Sequence, residues 1–494
     1  MNKILIANRG EIALRIIRTA KEMGIQTVAI YSEVDRLAPH VCFADEAICI
    51  GPAPSSQSYL LGDKIIEEAK KLNVDGIHPG YGFLSENASF AEAVTKAKMT
   101  FIGPSADSIN TMGNKLLAKK AVMDYNIPLV PGTEEALKNI EEAIRVSKEI
   151  GFPILIKAAA GGGGKGMRIV KEEKDLEEQV QMAIGEAKSA FGDGRVFIEK
   201  YLESPRHIEV QVLADNHGNT VHLFERECSI QRRHQKLIEE APSVIVDEDL
   251  REELGKCAVQ VAKACNYSGA GTVEFIMDTD KRFYFLEMNT RLQVEHPVTE
   301  LITGIDLVRE QIEVARNKKL GFKQEDLSIN GHAIELRVCA EDPNNNFLPD
   351  IGKLKVYNRP HGPGIRVDDS MYPGMDIPIY YDPMLAKLIV YAENRNTAID
   401  RMLRAIEEYN IQGVKTTLPF GTFALKHDAF ISGNFDTHFI DKYFSSLDNN
   451  NIDEEESKIA ALAALLFARE SKNLDEVTEK NINTNSSWYK SRKQ

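Results

Sequence analysis

Short apolar runs alternate with amphipathic stretches through the first part of the chain. Residues 3–7 read as a buried strand, since their apolar positions run on without alternating. Residues 11–23 place Ile12, Ile16 and Ile17 at helical spacing, and Gly24 supplies a stop. Residues 27–32, 47–50, 76–78 and 101–103 read as further strands in the same rhythm. Strands separated by helices pair in parallel through crossovers, so residues 1–113 are expected to form a parallel-sheet α/β domain.

Beyond Asn114 the periodicities change. Residues 196–199, 207–214, 220–225, 272–278 and 283–289 read as strands of antiparallel hairpins, with turns at 215–218 and 278–282. Residues 114–330 are therefore expected to be an α+β domain. A third, β-rich segment at 331–445 carries strands at 353–357, 364–368 and 388–391 and a helix at 398–409. Residues 446–494 contain the acidic run DNNNIDEEES and then a short apolar helix at 459–467, and no internal repeat is visible in the chain.

Composition narrows the class. A chain of 494 residues exceeds one hydrophobic core, so about two to four domains are expected. The net charge of −14 argues against a general nucleic-acid or membrane-surface binder. Cys42, Cys49, Cys228, Cys257, Cys265 and Cys339 are scattered without a C-x-x-C pair, which fits free thiols in a reducing compartment. The opening MNKILIANRG has no signal-peptide core, and no apolar stretch approaches the ~18 residues of a membrane span. A cytoplasmic location is the expectation.

Candidate chemistry concentrates in FYFLEMNTRLQVEHP. Glu287, Asn289, Arg291, Gln293 and Glu295 fall at two-residue spacing, so an extended chain would put them on one face, opposite Met288, Thr290, Leu292 and Val294. Glu274, in the preceding strand, could stand beside Glu287 across a hairpin. Two carboxylates and an amide oxygen suit Mg²⁺, and an arginine just beyond could hold a small oxyanion in a fork.

Three other segments add to this. In ILIKAAAGGGGKGM, Lys157 ends a strand, and Gly161, Gly162, Gly163 and Gly164 form a loop before Lys165 that could bring backbone N–H groups against phosphates. It is not a Walker A loop, because Ala159 and Gly166 stand where that motif needs Gly and Ser or Thr. ECSIQRRHQKLIEEAP clusters Gln231, Arg232, Arg233, His234 and Lys236 inside an acidic protein; the Cys228–His234 spacing is too weak to indicate a metal. NRGEIA after the first strand offers only Gly10 where a dinucleotide fingerprint needs three glycines, so a nicotinamide enzyme is not expected.

Together these segments, with HPGYGFLSEN, EKYLESPRHIEVQV, GHAIELRVCAEDP and YYDPMLAKLI, closely resemble the biotin carboxylase family of ATP-grasp enzymes over about residues 2–445. The resemblance implies a pre-ATP-grasp domain, an ATP-grasp domain with a mobile lid around 131–204, and a C-terminal β-rich domain. It implies that Lys115, Lys157, Glu199, Lys200, Leu202, His207, Gln231 and His234 line the ATP pocket, with residues 161–166 closing over the phosphates. Glu274, Glu287 and Asn289 would bind one or two Mg²⁺ or Mn²⁺ ions. Bicarbonate would be held by Arg291, Gln293, the Val294 backbone and Lys236, with Glu295 as base and Arg337 stabilising the biotin enolate.

No biotin-attachment hairpin is visible, since Ala97-Lys98-Met99 precedes a strand in the first domain. Biotin is therefore expected as a substrate on a separate carrier protein, with a separate carboxyltransferase subunit. A homodimer is implied, with Arg15 and Arg18 as candidate contacts, and the apolar segment at 459–467 as a docking helix or a cap. The alternatives are another ATP-grasp ligase, such as one making carbamoyl phosphate, and a non-catalytic nucleotide-binding subunit. The final carboxyl acceptor, whether an acyl-CoA, pyruvate or 2-oxoglutarate, is left open.

Overall fold

The computed structural model describes residues 1–133, 135–159, 167–444 and Leu462. The glycines at 161–164 and, Leu462 apart, the segment at 446–494 lie outside the described residues.

Strands β1 (Lys3–Ile6), β2 (Gln26–Ser32), β3 (Glu46–Gly51), β4 (Gly76–His78) and β5 (Thr100–Phe101) form a parallel sheet in the order β3-β2-β1-β4-β5. The helix Gly10–Glu22 packs Ile12, Ile16 and Ile17 into a core with Ile4 and Ile6, as the helical spacing predicts. The strand order reverses between β1 and β4, and the chain just beyond their ends carries Glu11 and Tyr81. Tyr81 donates to Glu11, whose other oxygen lies 3.3 Å from Lys387 Nζ. Arg15 is buried and tied to Glu300 and Asp306, so only Arg18 of the two candidate contact arginines is exposed.

A second, antiparallel sheet has the order β7-β6-β8, from β6 (Ile154–Ala158), β7 (Arg168–Val170) and β8 (Val196–Lys200). The strand expected at 196–199 therefore pairs with β6 rather than with the strand that follows it. Local periodicity reveals a strand but not its partner, and Ile198 finds Ile156 opposite it. The helices Ile140–Ile150 and Leu176–Phe191 close a core of their own over this sheet, around Ala143, Ile154, Ile156, Val180 and Ile198.

The third sheet has eight strands. β9 (Arg206–Ala214), β10 (Thr220–Arg232), β11 (Gln235–Ala241), β12 (Gly269–Met277), β13 (Phe283–Asn289) and β14 (His332–Cys339) contribute to it. The chain then forms the short pair β15 (Glu341–Asp342) and β16 (Leu348–Pro349), and β17 (Val356–Asn358) later pairs with β20 (Asn410–Gln412). β18 (Ile365–Asp369) and β19 (Met384–Ala392) complete the antiparallel order β13-β12-β9-β10-β11-β14-β19-β18. One sheet thus runs through residue 330 without interruption, because β14 adds directly to β11. Its apolar side chains Ile334, Leu336 and Val338 share a core with Ile230 and Ile238. Among the described residues, no helix is long and apolar enough to cross a membrane.

Candidate active site

The β12–β13 hairpin sets Glu274 opposite Glu287 and Thr272 opposite Asn289, as the sequence pattern anticipates. The single extended strand through Glu295 does not form. β13 stops at Asn289, and Glu295 is instead the N-cap of the helix His296–Thr303. At the bend between them, Thr290 N and Arg291 Nε both donate to Glu86 of the first domain, at 3.1 and 2.8 Å. The bend still brings Gln293 and Glu295 back to Glu274, so the five polar residues converge by folding over rather than by alternation.

Lys236, on β11, is the hub of this cluster. Its Nζ donates to Glu209, to Glu274 Oε1 at 2.9 Å and to Glu295 Oε1 at 2.8 Å. Gln293 Nε2 and Asn289 Nδ2 also reach Glu274 Oε1, each at 2.8 Å. The other oxygen of Glu295 accepts from Arg337 Nη2 at 2.9 Å, and Arg337 Nε donates to Glu239 at 2.6 Å. The Val294 carbonyl accepts from Lys387 Nζ at 3.0 Å. Burial alone would raise the Glu295 carboxyl, but Lys236 and Arg337 outweigh it and hold the group well below the usual carboxylate range.

The paired carboxylates differ in the same way. Burial opposes ionisation of Glu274, yet Lys236 and His207 hold it low, with His207 Nε2 2.9 Å from Glu274 Oε2. Burial and the like charge of Glu274 push Glu287 up, opposed by Lys115. Two carboxylates facing one another form a hard-donor set that a divalent cation would neutralise, and Asn289 beside them turns its amide nitrogen to Glu274 and its Oδ1 to Arg291. The residues therefore fit Mg²⁺, with Glu287 the less engaged of the two carboxylates.

Among the remaining candidate residues, Lys115 and His207 lie near the paired carboxylates, and Lys157 and His234 lie near Lys115. Lys115 starts the helix Lys115–Met123, and burial lowers its ammonium. Lys157 on β6 pairs with Glu199 on β8 at 2.5 Å, while Lys200 Nζ donates to the carbonyls of Gly151 and Phe152. Burial lowers the His234 ring, and the nearby charges of His207, Lys115 and Lys157 lower it further. His234 and Arg233 form the two-residue turn between β10 and β11, with φ of 66° and 49°. Positive φ at both turn residues matches the twist of the flanking strands, at a cost for side chains other than glycine. Gln231 is buried on β10, opposite Lys236 on β11, and Leu202 lies just after β8. Lys98 is exposed in a turn before β5.

Comparison with known proteins agrees with this architecture. Residues 1–109 match the biotin carboxylase N-terminal domain, 114–323 the carbamoyl-phosphate synthase L chain ATP-binding domain, and 335–442 the biotin carboxylase C-terminal domain. Biotin carboxylase 1 of Bacillus subtilis (strain 168) is 54% identical over 444 residues, covering 90% of this chain and 99% of that protein. The chain belongs to the biotin carboxylase family. It is an ATP-dependent ligase with the three-domain biotin carboxylase architecture. The Campylobacter jejuni biotin carboxylase, solved as a β-γ-ATP complex, superposes with a TM-score of 0.87 at 49% identity, covering 90% of this chain and 99% of that one. The biotin carboxylase domain dimer of Hydrogenobacter thermophilus 2-oxoglutarate carboxylase, solved with MgADP, ADP and bicarbonate, gives 0.86 at 49% identity, covering 89% and 97%. The human mitochondrial propionyl-CoA carboxylase alpha chain is 50% identical over 470 residues, which cover 94% of this chain but only 65% of that one.

The biotin carboxylase site also contains residues that sequence reasoning passed over. Arg226 is fully buried and donates to Glu209, Gln211, Thr299, Thr272 and Gln293. Glu209 carries both Arg226 and Lys236. β11 was not anticipated either: its Glu239 and Glu240 are buried and paired with Arg337 and with Arg395 and His332. For Glu209 the available signal was the alternation of polar and apolar residues in IEVQV, which puts Glu209 and Gln211 on one face of a strand.

Proposed function

We propose that this chain carboxylates biotin on a separate carrier protein, consuming ATP and bicarbonate and releasing ADP, phosphate and carboxybiotin. The observation that carries the proposal is Glu295 suspended between Lys236 and Arg337, next to the Glu274–Glu287 hairpin. Bicarbonate binds at Lys236, Arg291, Gln293 and the Val294 backbone. Glu295 takes its proton, and the oxyanion attacks the γ-phosphate of ATP to give carboxyphosphate. Without substrates Glu295 is a weak base, because two cations hold it ionised. As bicarbonate and biotin draw Lys236 and Arg337 away, its basicity rises. Carboxyphosphate releases CO₂ and phosphate, the phosphate deprotonates biotin, and Arg337 stabilises the enolate that captures CO₂.

Glu274, Glu287 and Asn289 would hold Mg²⁺, which neutralises charge on the phosphates when bound. Lys157 and His234 lie nearer the phosphates and Glu199, Lys200 and Leu202 at the adenine end, with Lys115, His207 and Gln231 lining the same pocket. Closure of the lobe at 131–204 would exclude water from the phosphates. The functional divisions of the chain are 1–113, 114–330, 331–445 and 446–494. The partners are a carrier protein, a carboxyltransferase subunit and a second copy of this chain, and the proposed location is the cytoplasm. Support comes from relatives that include an acyl-CoA carboxylase chain and a dimer solved with bicarbonate. The test is bicarbonate-dependent ADP release by the purified chain: stimulation by free biotin is expected, and its absence would overturn the proposal.

A further inference from the structure

One buried ion pair joins the lobe that carries β6 and β8 to the rest of the site. Lys119 lies on the helix Lys115–Met123, whose Ala118 and Val122 belong to the core under the eight-stranded sheet. Its ammonium pairs with Glu199 on β8 and sits 4.5 Å from the ring centre of Phe197. Glu199 belongs to the other lobe, in register with Leu155 on β6 and bridged to Gly132. Its second oxygen is held by Lys157 at 2.5 Å. Lys119, Lys157 and Glu199 are 7%, 8% and 4% exposed. Two buried ammonium groups thus serve one buried carboxylate, one more cation than neutrality needs.

Burial favours the protonated carboxyl, yet Lys157 and Lys119 draw Glu199 down to about 2, so it is a fixed negative charge. A buried charge stripped of its partners is strongly unfavourable. If Lys157 turned to a phosphate and Glu199 had no other partner, nucleotide binding would carry that cost. Lys119 removes it. We infer that Lys119 is a positioning residue for ATP: it keeps Glu199 neutralised while Lys157 leaves that carboxylate for the phosphates. The inference rests on the phosphate role proposed for Lys157. It also gives the spare cation a reason to stand on the helix outside the lobe, where it stays in place as Lys157 moves.

The test compares Lys119→Met, Lys119→Arg, Lys157→Met, Glu199→Gln and the Lys119→Met/Glu199→Gln double variant in the full chain, by ATP affinity, KM and kcat. Lys119→Met should leave nucleotide-free thermal unfolding close to that of the wild type, because Lys157 still neutralises Glu199. The same change should raise the KM for ATP about tenfold or more, with kcat at saturating ATP much less affected. Lys119→Arg should restore most of the affinity. In the Glu199→Gln background Lys119→Met should have little further effect, because no charge is left to strand. An unchanged ATP KM in Lys119→Met, alongside an impaired Lys157→Met, would overturn the inference and leave the phosphate role of Lys157 standing. An affinity loss from Lys119→Met that persists in the Glu199→Gln background would overturn it too, by showing a merely structural role. Unchanged ATP affinity in Lys157→Met would instead sink the phosphate role, and the inference with it.

Discussion

Arg337 and Glu295, on β14 and at the start of the helix His296–Thr303, meet through a 2.9 Å hydrogen bond from Nη2 to Oε2. The contact places the proposed enolate stabiliser against the proposed base, and Lys236 occupies the base's other oxygen. Removing either partner should therefore disturb one half of the reaction more than the other.

Glu295→Gln keeps the shape and removes the proton acceptor. Bicarbonate-dependent ADP release should fall by at least about a hundredfold, while the KM for ATP changes by less than about threefold. Steady-state rates at varied ATP and bicarbonate measure both.

Arg337→Lys retains the charge but cannot span Glu239 and Glu295 together. Carboxybiotin formation should drop about a hundredfold, with biotin-independent ATP hydrolysis much less affected. Labelled bicarbonate incorporated into biotin, compared with ADP release, separates the two.

Chelation of divalent cations should abolish turnover, and added Mg²⁺ should restore it. Glu287→Gln should raise the Mg²⁺ concentration for half-maximal rate by about tenfold or more, because one of two facing carboxylates is lost. A Mg²⁺ titration of each protein would show it, and superimposable curves would remove Glu287 from the metal site.

Arg226→Met leaves Glu209 to Lys236 alone and takes a donor from Gln211, Gln293, Thr272 and Thr299 in the core of the site. A buried polar group left without its partner costs about 1–3 kcal/mol, so a clear loss of thermal stability is expected. Calorimetric scans of wild type and variant give the shift.

Burial lowers the His222 ring from its ordinary 6.5 to about 4. The fold prefers the neutral ring, so its contribution to stability is full above about pH 6.5 and lost as the pH falls through about 4. His222 packs edge-on to Phe224, and its Nδ1 is buried without a partner, so His222→Phe can keep the packing. The variant should lose less stability than wild type between those pH values, as unfolding midpoints across the range would reveal.

Much of the site was legible as residue types at fixed spacing. Glu274 was placed beside Glu287 from a hairpin pattern, and the register confirms it. The alternation from Glu287 to Glu295 picked out residues that do converge, but through the wrong geometry, since the chain bends after Asn289 to reach Glu86. Glu239 and Arg226 stayed hidden because a charged residue in sequence looks solvated until its partner, from a distant strand, is known.

Periodicity and residue chemistry, which are local, were enough to establish strands, helices, a carboxylate-rich hairpin and a family resemblance. Tertiary structure alone decided that β14 extends the same sheet as β11, and that β8 pairs with β6. It also decided that Lys236 joins three carboxylates and that Lys119 reaches across to Glu199. Those facts depend on which surfaces bury one another, and no window of sequence contains both sides of such a contact.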